Sequence, residues 1–327
     1  PENIIGICDE IKKGKYDVGI VVDPDADRLC LVDEKGIPFG EEYTLVAAAE
    51  FVLSSSDFNN TCSNLSSSLA LKVITEKYGG IYYTSAVGEI NVVEKMKKEN
   101  VNKIFKSIAY KYDLMNDLMS FGLHRKWKRK FVDLIDLNLK NRNIILDLGC
   151  GTGDIISQIN NKSKLNSNYL AYLVDPNIEM MKHGIKKLKK KNVIWIASYG
   201  EKLPFKDNEF DLVTMSFSLR NVENIKITLN EINRVLKKNG QFLCLEFGKI
   251  KNLTINSIYK IYSDNFIPEL GKSITGNKDA YKYLIESIKR FPSQEEICKI
   301  LKLRKFYNIN YYNLTFGIAV IYTCKKN

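Results

Sequence analysis

Residues 145–154, ILDLGCGTGD, decide the fold of this chain. A predicted apolar strand at 143–148 runs into Gly149, Gly151 and Gly153, and the residues after them are typical of a helix. Glycine is needed where the backbone must turn tightly and let a ligand approach closely. The G-x-G-x-G spacing differs from the G-x-G-x-x-G loop that holds a dinucleotide pyrophosphate. The stretch therefore predicts a nucleotide-type ligand at a strand-to-helix turn.

The chain around this loop alternates between strand and helix patterns. Near-continuous apolar runs suit parallel strands that helices cover on both faces. The pattern predicts an α/β domain with a doubly wound, Rossmann-like sheet. Its strands are expected at 143–148, 169–174, 193–197, 210–215 and 241–246. The tail, residues 311–323, alternates like an antiparallel hairpin strand.

Acidic side chains at two strand ends indicate the kind of ligand. Asp147 directly precedes the glycines, where a carboxylate would repel a pyrophosphate and attract a cation. Asp175 ends the next strand, where a carboxylate can accept both hydroxyls of a ribose, with a helix N-cap as the alternative. Residues 198–205, SYGEKLPF, are expected to lie over an adenine. S-adenosylmethionine carries a cationic sulfonium and an ammonium group as well as a ribose and an adenine, so methyl transfer is favoured over oxidoreduction.

The motifs of two classes of nucleic-acid methyltransferase do not occur in the sequence. Enzymes that methylate exocyclic amines carry Asn/Asp-Pro-Pro-aromatic where this chain reads SFSLRN, residues 216–221. Cytosine-5 enzymes use a cysteine that follows a proline, and none of the seven cysteines does. A nucleic-acid partner is therefore not expected, despite the positive charge.

Composition sets the class of protein and divides the chain. With 327 residues, 45% of them hydrophobic and 27% charged, the chain is typical of about two globular domains. Its few cysteines argue against a disulfide scaffold, and no apolar stretch approaches the length of a membrane-spanning helix. Residues 1–100 hold 10 basic and 17 acidic side chains, whereas residues 101–327 hold 39 and 21. The net charge of +11 therefore comes from residues 101–327. This part is rich in both Asn and Lys, and such a composition can explain its positive charge without an anionic binding partner.

Residues from about 101 to 325 resemble the ubiquinone/menaquinone biosynthesis C-methyltransferases. The matching stretches span nearly the whole region: FKSIAYKYDLMNDLMSFGLHRKWKR (105–129), ILDLGCGTGD (145–154), LPFKDNEFDLVTMSFSLRNV (203–222), LEFGK (245–249), YSDNFIPELGKSITGNKDAYKYLIESIKRFPSQEE (262–296) and NLTFGIAVIY (313–322). The resemblance implies a domain at 101–327 that methylates a ring carbon of a polyprenylated quinol with S-adenosylmethionine. Demethylmenaquinol is favoured, ubiquinone biosynthesis stays open, and methylation of RNA or another small phenol is the alternative.

The resemblance also implies which residues bind the methyl donor. The predicted cofactor-binding residues are Asp147, Gly149, Gly151, Thr152, Gly153, Asp175, Tyr199, Gly200 and Ser216. The family usually has Asn or Asp at the position of Tyr199, so this position departs from the pattern.

The expected chemistry suggests the catalytic residues. A quinol carbon becomes nucleophilic when its phenol loses a proton, and the enzyme must position the ring, exclude water and assist proton removal. Arg220 and Asn221 are expected to hold the quinol oxygen and assist proton removal, with Tyr112 across the pocket. A salt bridge is the alternative for Arg220, and a structural role is favoured for His124.

A polyprenylated substrate implies a cytoplasmic protein that contacts the inner face of the membrane. Basic residues of the second part can rest on anionic headgroups. Four apolar residues are expected to line an entrance for the tail, with core packing as the alternative: Ile258, Ile261, Phe266 and Ile267. A homo-oligomer is left open.

Residues 1–100 resemble part of the phosphohexomutases of the phosphoglucosamine/phosphomannomutase kind. The similar stretches are DPDADR (23–28), FGEEYT (39–44) and residues 64–96. The resemblance implies a Mg²⁺ site at Asp23, Asp25 and Asp27. The phosphoserine loop and the C-terminal phosphate-binding domain do not occur, so an inactive fragment with a vestigial metal site is predicted. A tethered sugar-phosphate or metal-binding module is the alternative to an accidental fusion.

Coarser patterns complete the prediction for this part. The chain is expected to begin inside a domain, to form strands on both sides of residues 23–28 and another at 81–84, and to have a loop at 54–68. Helices are predicted at 43–53, 69–78, 89–100 and 104–135.

Overall fold

The computed structural model describes residues 4–24, 29–55, 59–93, 95, 96, 99, 112–136, 143–161, 169–188, 192–275 and 278–327. Within helices, the description of residues 41, 42, 112, 113, 275 and 278–280 covers the backbone alone. The chain divides into two compact units, Pro1–Glu99 and Asn100–Asn327.

The smaller unit consists of short elements. They are α1 (Ile5–Ile11), β1 (Gly19–Val22), β2 (Leu29–Val32), α2 (Glu41–Ser55), β3 (Thr61–Asn64), α3 (Ala70–Lys77) and β4 (Tyr82–Ser85), followed by helical residues at 89–93. Strands β1 and β2 pair antiparallel, and β3 and β4 form a separate parallel pair. The prediction of a loop at 54–68 is wrong at β3. The β3 sequence TCSN has no apolar run that would indicate a strand, and the strand forms through its pairing with β4.

A seven-stranded sheet organises the larger unit. Its strands are β5 (Asn143–Leu148), β6 (Tyr169–Val174), β7 (Val193–Ile196), β8 (Phe210–Ser216), β9 (Leu236–Phe247), β10 (Phe306–Leu314) and β11 (Ala319–Lys326). The order across the sheet is β10-β11-β9-β8-β5-β6-β7, parallel from β9 to β7 and antiparallel at β10 and β11. The predicted doubly wound α/β sheet is confirmed.

Helices surround this sheet and extend beyond it. They are α4 (Tyr112–Ser120), α5 (Leu123–Asp133), α6 (Asp154–Asn161), α7 (Ile178–Lys187), α8 (Ile225–Val235), α9 (Leu253–Ile261), a π-helical turn (Tyr262–Phe266), α10 (Ile267–Thr275), α11 (Lys278–Arg290) and α12 (Gln294–Leu303). Asparagine side chains at 177, 224 and 252 cap three of these helices by accepting backbone N–H groups. The helix predicted at 104–135 is divided at Gly122, whose φ of +72° interrupts the helical backbone, and residues 104–111 lie outside the described part.

The sheet is buried on both faces because successive side chains point to opposite sides. Ile145 belongs to one hydrophobic core and Leu146 to the other, and neither is exposed. Met115, Ile267 and Tyr281 form a third, smaller core within the helices beyond the sheet.

The tail differs from the prediction. Residues 311–323 were expected to form one strand, but they are shared between β10 and β11, which a short helical turn joins at Thr315–Gly317. Thr315, Phe316 and Gly317 all have positive φ angles, which reverse the chain direction. Leu314, Thr315 and Phe316 keep the apolar–polar alternation into the turn, so the sequence pattern alone hides it.

The strand order reverses between β5 and β8. The chain runs from β5 outward through β6 and β7, and then returns to place β8 on the other side of β5. In open α/β sheets, ligands bind outside the carboxyl ends of the strands at such a reversal. Asp147 and Ser216 lie at these two strand ends.

Candidate active site

A cavity of about 600 Å³ opens at the carboxyl ends of β5 and β8. The glycine loop, the end of β8, helix α5 and helices α9 to α11 supply its walls. The predicted residues that line it are Asp147, Gly149, Gly151, Thr152, Ser216 and Arg220. Its volume lies within the range of small-molecule sites, which is about 300–1,000 Å³.

The glycine loop has a backbone that other residues would strain. Gly149, Gly151 and Gly153 have φ angles of +66°, +54° and +79°. A Cβ atom at Gly149 would lie 2.5 Å from Ser218 Oγ, and one at Gly153 would lie 2.9 Å from the Trp195 ring. Glycine is therefore required at these positions both for the turn and for the close packing around it.

Asp147 presents an unsatisfied oxygen beside this loop. Its Oδ1 accepts a hydrogen bond of 2.8 Å from Thr214 Oγ1, while its buried Oδ2 has no hydrogen-bond partner. Burial raises the pKa of Asp147 to about 7, against the hydrogen bond from Thr214, and the charge of Asp175 adds to the increase. A cation bound in the cavity would favour the ionised carboxylate and lower this pKa.

The residues at this end of the cavity fit S-adenosylmethionine. Besides Asp147, the Oγ of Ser216 is buried without a hydrogen-bond partner, and Thr152 lies buried in the wall. Buried polar atoms are usually paired, so two unpaired ones beside a glycine loop indicate groups that a ligand satisfies. A carboxylate and a hydroxyl suit a ligand that carries an ammonium group and a sulfonium.

Asp175 shapes the loop from outside the cavity lining. Its Oδ2 accepts the Gly151 N–H and its Oδ1 accepts the Asn177 N–H, both at 2.8 Å. Burial raises its pKa to about 6, although these two backbone donors oppose the increase. The N-cap alternative is wrong, because Asn177 caps α7 by accepting the Met180 N–H. The ribose contact of Asp175 stays a prediction.

Three other predicted positions lie away from the cavity wall. Tyr199 is half-exposed, and a Cβ at Gly200 would lie 3.0 Å from Thr228 Cγ2. Neither residue lines the cavity, and neither does Gly153. Their contacts with the methyl donor stay predictions.

The guanidinium of Arg220 is fixed by neighbouring residues. Its Nη1 donates hydrogen bonds to Glu246 Oε1 at 2.8 Å and to the Phe217 carbonyl at 2.6 Å. Its guanidinium carbon lies 5.1 Å from the centre of the Phe247 ring. The salt bridge expected as an alternative therefore exists, and Arg220 lines the cavity as well.

The other two predicted catalytic residues are placed less directly. Asn221 Oδ1 accepts a hydrogen bond of 3.4 Å from the hydroxyl of Tyr283, which lines the cavity, whereas Asn221 itself does not. Tyr112 begins helix α4, and its side chain lies outside the described part. The roles assigned to both residues stay predictions.

His124 connects two helices at the edge of the cavity. Its Nε2 lies 2.8 Å from Asp117 Oδ1, which joins α5 to α4, and burial lowers its pKa. Arg125 donates two hydrogen bonds to the same carboxylate, and these hold the pKa of Asp117 well below its usual range against the effect of burial. These contacts support the structural role that the sequence favours.

Comparison with known proteins decides the family. Residues 93–326 match the model of the ubiE/COQ5 methyltransferase family. This chain belongs to the ubiE/COQ5 methyltransferase family. The predicted enzyme class, an S-adenosylmethionine-dependent C-methyltransferase, is confirmed, and the family implies S-adenosylmethionine as its cofactor.

Relatives at high identity cover nearly the whole family domain. The ubiquinone/menaquinone biosynthesis C-methyltransferase UbiE of Rickettsia bellii (strain OSU 85-389) is 46% identical over 235 residues, 70% of this chain and 94% of that protein. UbiE of Rickettsia prowazekii (strain Madrid E) is 43% identical over 249 residues, 75% of this chain and 99% of that protein.

Solved structures share the fold. A SAM-dependent methyltransferase from Thermotoga maritima matches with a TM-score of 0.50 at 18% identity, covering 69% of this chain and all of that chain. The [4+2]-cyclase SpnF matches with the same TM-score at 12% identity, covering 69% of this chain and 94% of that chain. A fold shared with a cyclase does not fix the reaction, so activity must be argued from the site.

Residues 40–105 match the model of the phosphoglucomutase/phosphomannomutase alpha/beta/alpha domain III. The predicted phosphohexomutase segment is thereby confirmed. The magnesium ligands expected before it are not all visible, since Asp25 and Asp27 lie outside the described residues and Asp23 lies within them. Across the described ranges, no group of three or more His, Cys, Asp or Glu side chains could hold a metal ion.

In this ubiE/COQ5 family member, the sequence left several residues of the site without a role. Glu246 lies within LEFGK, residues 245–249, and Lys128 lies within the similar stretch 105–129. The Nζ of Lys128 forms a partly buried ion pair of 2.6 Å with Asp154 Oδ2. Tyr259 and Tyr283 line the cavity, and burial raises the pKa of Tyr259 to about 12. The one signal for Glu246 was a carboxylate within an apolar strand, which is rare unless it is paired.

No described helix is both long enough and apolar enough to cross a membrane.

Proposed function

We propose that this methyltransferase adds a methyl group to a ring carbon of a polyprenylated quinol, in the biosynthesis of menaquinone, ubiquinone or both. The observation that carries the proposal is that one cavity is lined both by residues with unpaired buried oxygens, Asp147 and Ser216, and by Arg220, whose guanidinium is fixed by Glu246. The names of the Rickettsia relatives support a quinone pathway.

The two sets of lining residues suit the two reactants. S-adenosylmethionine supplies an electrophilic methyl group whose sulfur keeps the bonding electron pair. Asp147 and Ser216 would hold the donor, since their unpaired oxygens need polar partners. Arg220 would bind the quinol oxygen, where its N–H groups stabilise the charge that makes the neighbouring carbon nucleophilic.

The wall around Arg220 suits an aromatic ring. Tyr259, Tyr262 and Tyr283 line the cavity with Phe217 and Phe247, and the rings of Phe217 and Phe247 have centroids 4.8 Å apart. Such side chains exclude water and present flat apolar faces, which a quinol ring can pack against. Burial raises the pKa of both Tyr259 and Tyr283, so both hydroxyls stay protonated as donors.

Helix α9 and the π-helical turn would contact the polyprenyl tail of the substrate and the membrane surface. Leu253, Ile258 and Ile261 are 81%, 64% and 66% exposed, so core packing is the wrong explanation for the two isoleucines. Core packing is correct for Ile267, which is buried and lines the cavity. Phe121 is 75% exposed, and its ring lies 5.8 Å from that of Tyr262, which lines the cavity. This exposed apolar surface supports a peripheral contact with the inner face of the membrane.

The central experiment is an assay of the purified chain with S-adenosylmethionine and a short-tailed demethylmenaquinol or its demethyl benzoquinol counterpart. We expect the ring of at least one quinol to gain the mass of one methyl group. Arg220→Lys retains a cation for Glu246 but loses the planar fork of donors, so turnover should fall by about tenfold or more while donor affinity stays unchanged. Methylation of RNA or a simple phenol, with neither quinol modified, would show that the quinol assignment is wrong.

Membrane contact requires a separate test. The chain should sediment with anionic vesicles at low salt and less at high salt, because polybasic attraction is screened. The double change Ile258→Asp and Ile261→Asp should reduce sedimentation at both salt concentrations. Ile227→Asp is the matched control, since Ile227 is 47% exposed on α8 and should not affect sedimentation. Equal sedimentation of all three proteins would contradict this contact surface.

The smaller unit is proposed to take no part in methyl transfer. The family match begins at residue 93, and the cavity is lined by residues 115 to 318 of the larger unit.

A further inference from the structure

Glu246 is a carboxylate in the centre of the sheet. It lies on β9, which is paired on both sides by β8 and β11, and it is 0% exposed. Removing a carboxylate from water is unfavourable unless it is paired and hydrogen-bonded. Glu246 is both, because its oxygens accept the Arg220 N–H at 3.2 Å, Arg220 Nη1 at 2.8 Å and the Phe247 N–H at 2.9 Å.

These contacts fix both the backbone and the side chain of Arg220. Glu246 Oε2 accepts a hydrogen bond from the backbone N–H of Arg220, and Oε1 accepts one from Nη1 of the same residue. The Phe217 carbonyl shares Nη1, and the Phe247 ring lies beside the guanidinium. No residue of the described part accepts a hydrogen bond from Nη2, so this nitrogen is left for a ligand in the cavity that Arg220 lines.

We infer that Glu246 is a positioning residue: it holds Arg220 by Nη1 so that Nη2 is presented to the ring oxygen of the substrate. The inference rests on the proposed function, in which that oxygen belongs to a quinol. Stability alone does not account for the pair, since a buried ion pair is often no more stabilising than apolar side chains of similar volume. A fixed orientation of Arg220 does account for the pair, because a hydrogen-bond donor that is already in place needs no reorganisation during the reaction.

Glu246 also balances the charge of Arg220. A methyl donor with a sulfonium and an unpaired guanidinium in one cavity would repel each other in a low-dielectric environment. The ion pair of Glu246 and Arg220 is neutral overall and still offers N–H donors. The cavity can then hold a cationic donor and also stabilise negative charge on the substrate oxygen.

The test combines Glu246→Gln with a double-mutant cycle. Gln keeps the size and one acceptor but removes the charge, so we expect kcat to fall by about tenfold or more while the Kd for S-adenosylmethionine changes by less than about threefold. In an Arg220→Lys background the same change should have less than about threefold effect on kcat, because Glu246 acts through the guanidinium. An equal effect in both backgrounds, or an unchanged kcat in folded Glu246→Gln, would overturn the inference.

Asp211→Asn is the matched control. Asp211 lies near the start of β8, at the other end of the sheet, where it pairs with Lys237 and accepts the Ile144 N–H. It also lies outside the cavity lining. Its substitution removes a sheet carboxylate with a cationic partner and should leave kcat unchanged within about twofold.

A measurement on the unaltered protein keeps the inference testable if Glu246→Gln fails to fold. With 15N-labelled arginine, Arg220 should show separate resonances for Nη1 and Nη2, because its guanidinium cannot rotate freely, and Arg220→Lys identifies them. A short-tailed quinone should shift the Nη2 signal more than the Nη1 signal. One averaged Nη resonance would overturn the positioning role even if quinols are methylated. Separate resonances in a protein that methylates no quinol would instead refute only the quinol assignment.

Discussion

Strand β5 in the larger unit ends at the glycine loop, and strand β1 in the smaller unit ends at residues 23–28, where the sequence predicts a metal loop. Strand β5 is flanked by β6 and β8, and its Ile145 and Leu146 are fully buried on opposite faces. Strand β1 pairs with β2, while its Ile20 and Val22 are 63% and 56% exposed. Both strands have apolar sequences of the kind that covered sheets require.

The difference lies in what surrounds each loop. The glycine loop is supported by two hydrophobic cores that together hold more than thirty buried side chains. It is also held by Asp175, whose carboxylate accepts the Gly151 N–H. The core beside β1 and β2 consists of Cys8, Ile11 and Val32, with Ile4 and Ile7 packed against it. A functional loop needs a rigid support to keep its chemical groups in position, so the comparison favours activity in the larger unit alone.

The largest effect is expected from the same substitution made in both units. Gly149 and Gly14 both have positive φ, at +66° and +75°, so alanine strains the backbone at each. A Cβ at Gly149 meets Ser218, whereas one at Gly14 meets nothing within 4 Å. Gly149→Ala should therefore weaken S-adenosylmethionine binding by about 100-fold or more, and Gly14→Ala should change it less than about twofold. Calorimetric titration of both variants measures this, and equal affinities of the two variants would show that the glycine loop is not needed to hold the donor.

A smaller effect on donor affinity is expected from pH. Asp147 has a pKa of about 7, and a cation prefers its ionised form. Affinity should therefore weaken by up to about tenfold for each pH unit below 7 and level off above it. Asp147→Asn should bind more weakly above pH 7 and show a flatter profile. A wild-type profile as flat as that of the variant would exclude Asp147 as the group that attracts the donor.

The same residue should affect the stability of the unliganded protein in the opposite sense. A carboxyl group whose pKa rises on folding favours the folded state fully below its unfolded pKa, and this contribution is lost as pH rises through the folded value. For Asp147 the loss spans about pH 4 to 7, from its ordinary value of 3.8 to the folded value. Asp147→Asn should therefore have a higher Tm than the wild type at about pH 8, and this advantage should disappear toward pH 4. Melting curves without ligand test this, and a lower Tm for the variant at pH 8 would contradict it.

The smallest effect is expected from removing the smaller unit. A chain of residues 93–327 retains the whole family match and should keep kcat and both KM values within about twofold of the full chain. A loss of tenfold or more in a folded protein would show that the smaller unit contributes to the reaction.

Sequence reasoning identified the sheet well where apolar runs meet glycine or aspartate. The strands predicted at 143–148 and 169–174 agree with β5 and β6 at both ends. It missed β3, because TCSN becomes a strand only through its partner β4. It also missed the turn at Thr315–Gly317, because Leu314, Thr315 and Phe316 continue the apolar–polar alternation of β10.

The glycine-loop residues of the site were predictable from the sequence, whereas the partner of Arg220 was not. The loop residues Asp147, Gly149, Gly151 and Thr152 could be identified because their chemistry is local in sequence. Glu246 could not, because its partner Arg220 is 26 residues earlier and the pair forms only when β8 and β9 lie side by side. Contacts between strands depend on the tertiary fold, which periodicity does not encode.

The unpaired Oδ2 of Asp147 has a consequence for the lifetime of the protein in the cell. A buried acceptor without a partner destabilises the free protein, and a ligand that supplies the partner stabilises the folded state in proportion to its concentration. The cellular supply of methyl donor thus enters the folding equilibrium itself. A chain that has bound the donor is protected from unfolding, and the unfolded chain is the form that proteases attack.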